Sequence, residues 1–375
     1  MVAINNISEA SRIVVKVGSA LVTRNDGSIN EEFLDSIASD LLLLHKNNKE
    51  IIIVSSGAIS LGNKINKKNK ENLSLSESQA ASAIGQIELI NGWKKSLERK
   101  NLNIAQILIT ADDTENRKRY LNARSTFEEL LKNNYIPIIN ENDTVATSEI
   151  RYGDNDRLAA RVAGMLSADC LVLLSNIDGL FPKDPRHGKS ALIKEINEIN
   201  EDIISMAGEA NGLGSGGMIT KLEAAKICMS SGSNMIIASG NNKNPLTSIQ
   251  RGGNCTWFNP EKSIKNSLKV WLSGQLKPGG KIFLDRGAGN ALLDGKSLLS
   301  AGILSIDGDF DKGDTLVIFN NKNLEIARGL SNYGSEDLNK IIGKKSEEIK
   351  DILGYMDKPE VIHRNNLVYS GKKEN

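Results

Sequence analysis

Aromatic residues are few: three Trp, six Tyr and seven Phe make up only 4% of the 375-residue chain. Proteins that hold nucleic acid usually set aromatic platforms among basic residues, and no such interleaving is visible. An excess of charge of one sign is also missing, since 47 Lys and Arg stand against 46 Asp and Glu, a formal net charge of +1. No global field remains to hold a polyanion or an anionic membrane, so any anion binding must be local. Cysteine is scarce. Cys170, Cys228 and Cys255 have neither the even count nor the short spacing of a disulfide framework or a zinc site, which fits a reducing compartment. His45, His187 and His363 are too scattered for a triad and read as surface or satisfied histidines. No apolar run approaches the roughly 18 residues of a membrane span, and Met1 to Ser11 lacks the basic-then-apolar pattern of a secretory signal. The expectation is a soluble cytoplasmic protein with no membrane partner. Its length, at about 150 residues per domain, predicts two or three domains.

What the chain does have is a repeated texture. Short apolar runs at Ile13 to Val17, Ile51 to Val54, Ile104 to Ile109, Tyr135 to Ile139, Leu171 to Leu174 and Met235 to Ala238 have strand length and do not alternate polar with apolar. They predict buried parallel strands. Between them Phe33, Leu34, Ile37, Ala38, Leu41 and Leu42 fall at helical spacing after Asn30 as N-cap, and Ser76 with Gln79 predicts a capping box ahead of Ala80 to Leu97. The pattern implies an α/β fold, a sheet covered by helices on both faces, with ligands at the carboxyl ends of the strands. After Gly240 the helical periodicity fades. Lys277-Pro-Gly-Gly, Asp307-Gly-Asp and Lys312-Gly-Asp punctuate short apolar runs such as Leu316 to Phe319, predicting a small β-rich domain. The predicted division is residues 1–260, a linker at 261–276 and a tail at 277–369. From 277 to 375 there are fifteen basic and fifteen acidic residues, so the tail is neutral too.

Several segments could carry chemistry. Lys16 interrupts the apolar run Val14 to Val17 just before Gly18. It is either a cation facing a phosphate at the strand end or a lysine snorkelling from a strand edge. Ser55-Ser56-Gly57-Ala58 opens a helix after the second strand, which suits an anion site or simply a tight turn. Asn140-Glu141-Asn142-Asp143-Thr144 and Gly153-Asp154-Asn155-Asp156-Arg157 put short polar side chains beyond a buried strand. These suit ligand recognition or a solvated loop. A calcium loop is excluded, because the glycine required at position six from Asp154 is Ala159. Gly212 to Lys221, Gly-Leu-Gly-Ser-Gly-Gly-Met-Ile-Thr-Lys, is the sharpest feature, a glycine-rich loop ahead of a helix predicted from Leu222 to Met229. Its glycines permit close approach to phosphates and its lysine adds a movable charge; the alternative is a glycine linker. It is a poor dinucleotide fingerprint, because a helix-like segment precedes it and Glu223 is too near to serve as the ribose acid. Gly295-Lys296-Ser297 is no Walker loop, since position 290 is Asn. Asn63 to Lys70 reads as a solvated, lysine-rich loop.

Together with Leu121-Asn122-Ala123-Arg124 and Asp178-Gly179-Leu180-Phe181, these motifs resemble, in order and spacing, the amino-acid kinases. Within that family they are similar to the branch that phosphorylates glutamate on its side-chain carboxylate, the first step of proline biosynthesis. The tail is similar to a PUA domain through Asp285-Arg286-Gly287-Ala288 and Ile352-Leu353-Gly354-Tyr355. The resemblance implies a three-layer αβα sandwich with a mainly parallel sheet, followed by the PUA domain. It implies L-glutamate and ATP as substrates, with Mg²⁺ bridging phosphate oxygens and no dedicated metal-binding residue. Lys16 and Lys221 would flank the transferring phosphoryl group, Asp156 would hold the lysines, and Gly18 with Ser19 would offer backbone donors. Ser56, Asp143 and Asn155 carry over as glutamate-binding positions, Asp143 facing the ammonium. Ser175, Asn176, Ser215, Gly216, Gly217, Met218, Ile219, Thr220 and Lys221 carry over as nucleotide-binding positions with Lys16, Gly18 and Ser19. The family usually has Thr-Asp at Ser175-Asn176, so here the hydroxyl survives and the carboxylate becomes an amide; Ser215 replaces a commoner Thr. Also implied are feedback inhibition by proline, a homo-oligomer, and hand-over of the product to glutamyl phosphate reductase. The rivals are kinases of aspartate, acetylglutamate, carbamate or a nucleotide, and, in another class, a PUA-driven RNA-binding protein, which the neutral tail disfavours.

Overall fold

The computed structural model describes residues 6–65, 73–146, 155–183, 190–207, 217–260, 278–356 and 358–369. The chain divides into two compact units, Met1–Lys265 and Asn266–Asn375. The predicted linker at 261–276 lies outside the described residues.

In the first unit strand and helix alternate. It begins β1 (Arg12–Val17), α1 (Ser19–Val22), α2 (Glu31–Lys46), β2 (Glu50–Ser55), α3 (Ala58–Ile65) and α4 (Leu75–Glu98). There follow β3 (Asn103–Ile109), α5 (Ala111–Glu115), α6 (Arg117–Lys132), β4 (Tyr135–Glu141), α7 (Asn155–Met165) and β5 (Cys170–Ser175). The unit closes with β6 (Glu195–Ile196), α8 (Glu201–Ser205), α9 (Met218–Ser230), β7 (Asn234–Ser239), α10 (Pro245–Gln250) and β8 (Cys255–Phe258). Each of the six apolar runs lies inside a strand. The sheet order is β3-β4-β2-β1-β5-β7-β8-β6, and all pairings from β3 to β7 are parallel. β8 joins antiparallel to β7. The chain leaves β1 for β2 on one side and returns to β5 on the other. The strand order therefore reverses at β1, and in open α/β sheets ligands bind beyond the carboxyl ends of the strands at such a reversal.

Strand parity decides which helix each side chain meets. Ile13, Val15 and Val17 of β1, with Ile51 and Ile53 of β2, share a core with Leu34, Ile37 and Leu41 of α2, Leu89 and Trp93 of α4, and Leu246 of α10. The residues between them turn to the opposite face, where α7 packs against β1, β2, β4 and β5, and α9 packs against α7 and β7. Helices thus cover both faces, giving the three-layer αβα sandwich. Among the described residues no helix is long and apolar enough to cross a membrane.

Two helix starts differ from expectation. The capping box of α4 is formed by Ser74 and Glu77, not by Ser76 and Gln79. Glu77 can reach back to the Ser74 amide at 3.0 Å, whereas the Gln79 amide is drawn away to Ala146 O at 3.0 Å. Helix α9 begins at Met218 and not at Leu222, so the Thr220-Lys221 end of the glycine loop forms its first turn. Asn30 caps α2 as expected, accepting from Phe33 N at 3.3 Å.

The second unit has a five-stranded sheet, β9 (Gly280–Leu284), β10 (Ile303–Asp307), β11 (Thr315–Phe319), β12 (Glu325–Leu330) and β13 (Leu367–Tyr369), in the order β10-β9-β11-β12-β13. Only the β9–β11 pairing is parallel. Its core gathers Ile282, Leu284, Leu316, Ile318, Tyr333 and Leu338. This is the small β-rich domain that the turn spacing predicts.

Helices α3 and α4 meet at backbone distance. A Cβ on Gly85 would lie 1.8 Å from Ala58 O and 2.5 Å from Gly62 N. Alanine gains about 1 kcal/mol of helix propensity over glycine, but overpacking against unyielding backbone costs about 3 kcal/mol. Gly85→Ala is therefore expected to lower Tm in thermal unfolding followed by circular dichroism; a raised Tm would show that the helices can separate freely.

Candidate active site

Lys16 shares strand parity with Val14, so its side chain leaves the α2–α4 core and enters the layer of α7 and α9. There it meets Asp156, the second residue of α7, with Nζ 2.5 Å from Oδ1. Lys221, in the first turn of α9, places its Nζ 2.9 Å from the other carboxylate oxygen, Oδ2. Lys16 and Lys221 are each 6% exposed and Asp156 is 0% exposed. Burial alone would push the Asp156 carboxyl pKa up; the charges of Lys16 and Lys221, reinforced by their hydrogen bonds, outweigh it and hold the group well below the usual carboxylate range. Asp156 is thus a fixed negative charge at neutral pH and not a proton acceptor. Lys16 thus pairs with one oxygen of Asp156 and Lys221 with the other.

Gly217 is the N-cap of α9 and provides no side-chain cap, so the first amides of that helix keep their affinity for an anion. Among the described residues a Cβ on Gly217 would meet nothing within 4 Å, and its backbone is ordinary extended chain. Thr220 Oγ1 donates to Gly217 O at 2.8 Å and lies 3.5 Å from Asp156 Oδ2. Met218 is half-buried and Ile219 exposed. Gly18 donates its N–H to Leu174 O at 3.4 Å across the β1–β5 seam, so that amide is turned to the sheet, and Ser19 opens α1 as an exposed residue. Ser175 Oγ sits 3.2 Å from Asn176 Oδ1 at the end of β5. Ser215 and Gly216, and Gly153-Asp154 of the polar segment, lie outside the described residues.

A second group forms beyond β2 and β4. Asn155, the first residue of α7, donates from Nδ2 to Ser56 Oγ at 2.9 Å, Asn140 Oδ1 at 2.8 Å and Ser55 O at 3.1 Å. Ser56 Oγ accepts there, which leaves its own O–H to donate. Asp143 Oδ2 accepts from Ser82 Oγ at 2.7 Å. The structure therefore brings together Lys16, Asp156, Lys221 and Thr220 in one cluster, and Ser56 with Asn155 in another. Ser82 and Gln86 were not among the candidates from sequence. The available signal was two polar residues on the α4 face that carries buried Leu89 and Trp93.

The chain is similar to known proteins over nearly its whole length. The model of the amino acid kinase family matches residues 11–239, and that of the PUA domain matches residues 280–353. The glutamate 5-kinase of Brucella anthropi is 50% identical over 359 residues, 95% of this chain and 95% of its own. That of Agrobacterium fabrum is 49% identical over 362 residues, 96% of this chain and 93% of its own. That of Paramagnetospirillum magneticum is 47% identical over 368 residues, 97% of this chain and 99% of its own.

Removing one partner of a buried ion pair leaves charge uncompensated, at a cost of about 3–5 kcal/mol. Asp156→Asn is expected to lose stability of that order in denaturant unfolding. The pH dependence follows from the lowered pKa of Asp156: its contribution is fully present above the unfolded carboxyl pKa of about 3.9 and is lost as pH falls towards the folded value. The wild type should therefore lose stability below about pH 4, with a smaller acid loss in Asp156→Asn. Equal acid limbs would show that Asp156 is not held ionised by the lysines.

Proposed function

The chain belongs to the amino acid kinase family and carries a PUA domain, and from that premise we propose that it transfers the γ-phosphoryl group of ATP to the side-chain carboxylate of L-glutamate, giving L-glutamyl 5-phosphate and ADP. The observation that carries this reading is the meeting of two buried lysines, one from a strand end and one from a helix start, on a single carboxylate at the carboxyl edge of a parallel sheet. A glutamate carboxylate is already ionised at pH 7, so the reaction needs no general base. What it needs is cationic help in bringing two anions together and stabilising charge on the transferring group.

The chemistry is an in-line displacement. A carboxylate oxygen of glutamate forms a bond to the γ-phosphorus as the bond from that phosphorus to the β-bridging oxygen breaks, and ADP leaves with the electron pair. Lys16 approaches the phosphoryl group from the sheet and Lys221 from α9, while Asp156 fixes both without accepting a proton. Gly217 to Thr220, with the amides at the start of α9, take the nucleotide phosphates; Ser19, Ser175 and Asn176 complete the nucleotide side. Ser56 donates to the α-carboxylate, Asn155 holds Ser56 in place, and Asp143 pairs with the ammonium. Proline presents the same α-carboxylate and a cationic nitrogen but no acceptor carboxylate, which suits an inhibitor of this site.

Mg²⁺ fits this reading as an ion carried by ATP. Among the described residues no group of three or more His, Cys, Asp or Glu is placed to hold a metal, and the one carboxylate at the centre already bridges two lysines. When bound, Mg²⁺ neutralises charge on the phosphate oxygens. Cytoplasmic placement, assembly with copies of itself and hand-over of the reactive acyl phosphate to a reductase belong to the same proposal.

An assay of ADP release with glutamate, aspartate or acetylglutamate, with hydroxylamine trapping the acyl phosphate, tests the reading. Glutamate should be the acceptor; hydroxamate formed only with another acid would overturn it. Lys221→Ala is expected to lower kcat by about 10²–10³, whereas Asp143→Ala should mainly raise the glutamate KM, by about 10- to 100-fold. Wild-type kcat in Lys221→Ala would rule out the two-lysine mechanism.

A further inference from the structure

One face of α4 runs alongside the proposed acceptor site and bonds to it at four points. Gln79, Ser82, Gln86 and Trp93 are separated by three, four and seven residues, spacings that keep them on one side of a helix. Gln79 Nε2 donates to Ala146 O at 3.0 Å, and Ser82 Oγ to Asp143 Oδ2 at 2.7 Å. Gln86 Oε1 accepts from Asn140 Nδ2 at 2.7 Å, and Trp93 Nε1 donates to Ser55 Oγ at 2.9 Å. Ser82 is 4% exposed and Gln86 9% exposed. These are buried polar side chains on a face that otherwise serves the core.

The amide directions are set by backbone groups that allow no choice. Glu141 N donates to Asn140 Oδ1 at 2.9 Å, so the NH₂ of Asn140 must point the other way, where only the oxygen of Gln86 can receive it. Asn155 Nδ2 reaches Ser55 O at 3.1 Å, an acceptor without a hydrogen, which fixes that amide as well. A chain of oriented amides therefore runs from Gln86 through Asn140 to Asn155 and ends on Ser56 Oγ. Removing the oxygen of Gln86 strands a buried donor on Asn140. Rotating Asn140 to relieve it would break the bonds to Glu141 and Asn155.

We propose that Ser82 and Gln86 are positioning residues for acceptor specificity, Ser82 by fixing the carboxylate of Asp143 and Gln86 by fixing the direction of Asn140 and, through it, Asn155 and Ser56. The inference rests on the glutamate reading above. Neither residue reaches the lysine cluster, so the effect belongs to the acceptor and not to ATP. Ser82 acts on the group that reads the ammonium, and Gln86 on the group that reads the α-carboxylate.

The test uses the full-length chain and compares wild type with Ser82→Ala, Ser82→Thr and Gln86→Met, measuring kcat, the KM of each substrate, Tm, and the preference for glutamate over glutarate, which has both carboxylates but no ammonium. Ser82→Ala and Gln86→Met are expected to raise the glutamate KM at least tenfold, with the ATP KM within twofold and kcat within threefold of wild type. Ser82→Thr should return the glutamate KM to within threefold. The glutamate-to-glutarate preference should shrink at least tenfold in Ser82→Ala and less in Gln86→Met. Glutamate KM values within twofold of wild type in both variants, or ATP and glutamate KM rising together, would overturn the inference. If Ser82→Ala does not fold, Gln86→Met, which keeps length and volume, decides by the same limits. A wild type inactive on glutamate would instead overturn the substrate reading and this inference with it, and that result is seen before any variant is made.

Discussion

The rest of the molecule depends on one carboxylate shared by two lysines. At an effective dielectric of about 20, opposite unit charges about 4 Å apart attract by about 4 kcal/mol, and Asp156 makes two such contacts, at 2.5 and 2.9 Å, through different oxygens. Desolvation opposes the arrangement, so it persists only where α7, β1 and α9 are held together by other means. Those means are apolar: every residue of α7 except Arg157 and Arg161 is buried, and Leu222, Ala224, Ala225 and Cys228 of α9 are buried. The core is the scaffold that makes a costly charge cluster affordable.

A second constraint operates on the acceptor side, where closeness is set by what is absent from the side chains. Gly62 and Gly85 let α3 and α4 touch through their backbones, with Ala58 and Ala81 at the contact. That approach brings the Ser55 end of β2 within reach of Trp93. A glycine at such a contact does nothing chemical. It determines whether Ser82 and Gln86 reach Asp143 and Asn140 at 2.7 Å or miss them.

The architecture was legible because buried parallel strands leave continuous apolar runs. Ile51 to Val54 and Leu171 to Leu174 needed no context, and the observed strands extend them by one or two residues. Lys16 was conspicuous for the same reason, as a charge in a run without others. Its alternative, snorkelling from an edge, fails because β1 lies between β2 and β5. The start of α4 was misplaced because Ser74 with Glu77 and Ser76 with Gln79 are equivalent locally, and only a long-range partner, Ala146 O, removes Gln79 from the choice. Ser82 and Gln86 were illegible for a deeper reason. A serine and a glutamine on the helix face that carries Leu89 and Trp93 name no partner until the end of β4 and the turn after it, fifty-four and sixty-one residues away, are folded against them.

The two clusters meet at neighbouring residues. Asn155 bonds to Ser55, Ser56 and Asn140 in one cluster, and Asp156 bonds to Lys16 and Lys221 in the other. Consecutive Cα atoms are about 3.8 Å apart with little freedom between them, so the first peptide of α7 fixes the spacing between the two clusters. Transfer between two anions gains from reacting atoms held about 3–3.5 Å apart in line, a tolerance that independent loops would not keep. Placing both anchors on one buried helix start converts the problem into the rigidity of a single turn. Asn155 and Asp156 open α7 side by side, so a one-residue shift in the start of the helix would disturb both sets of bonds at once.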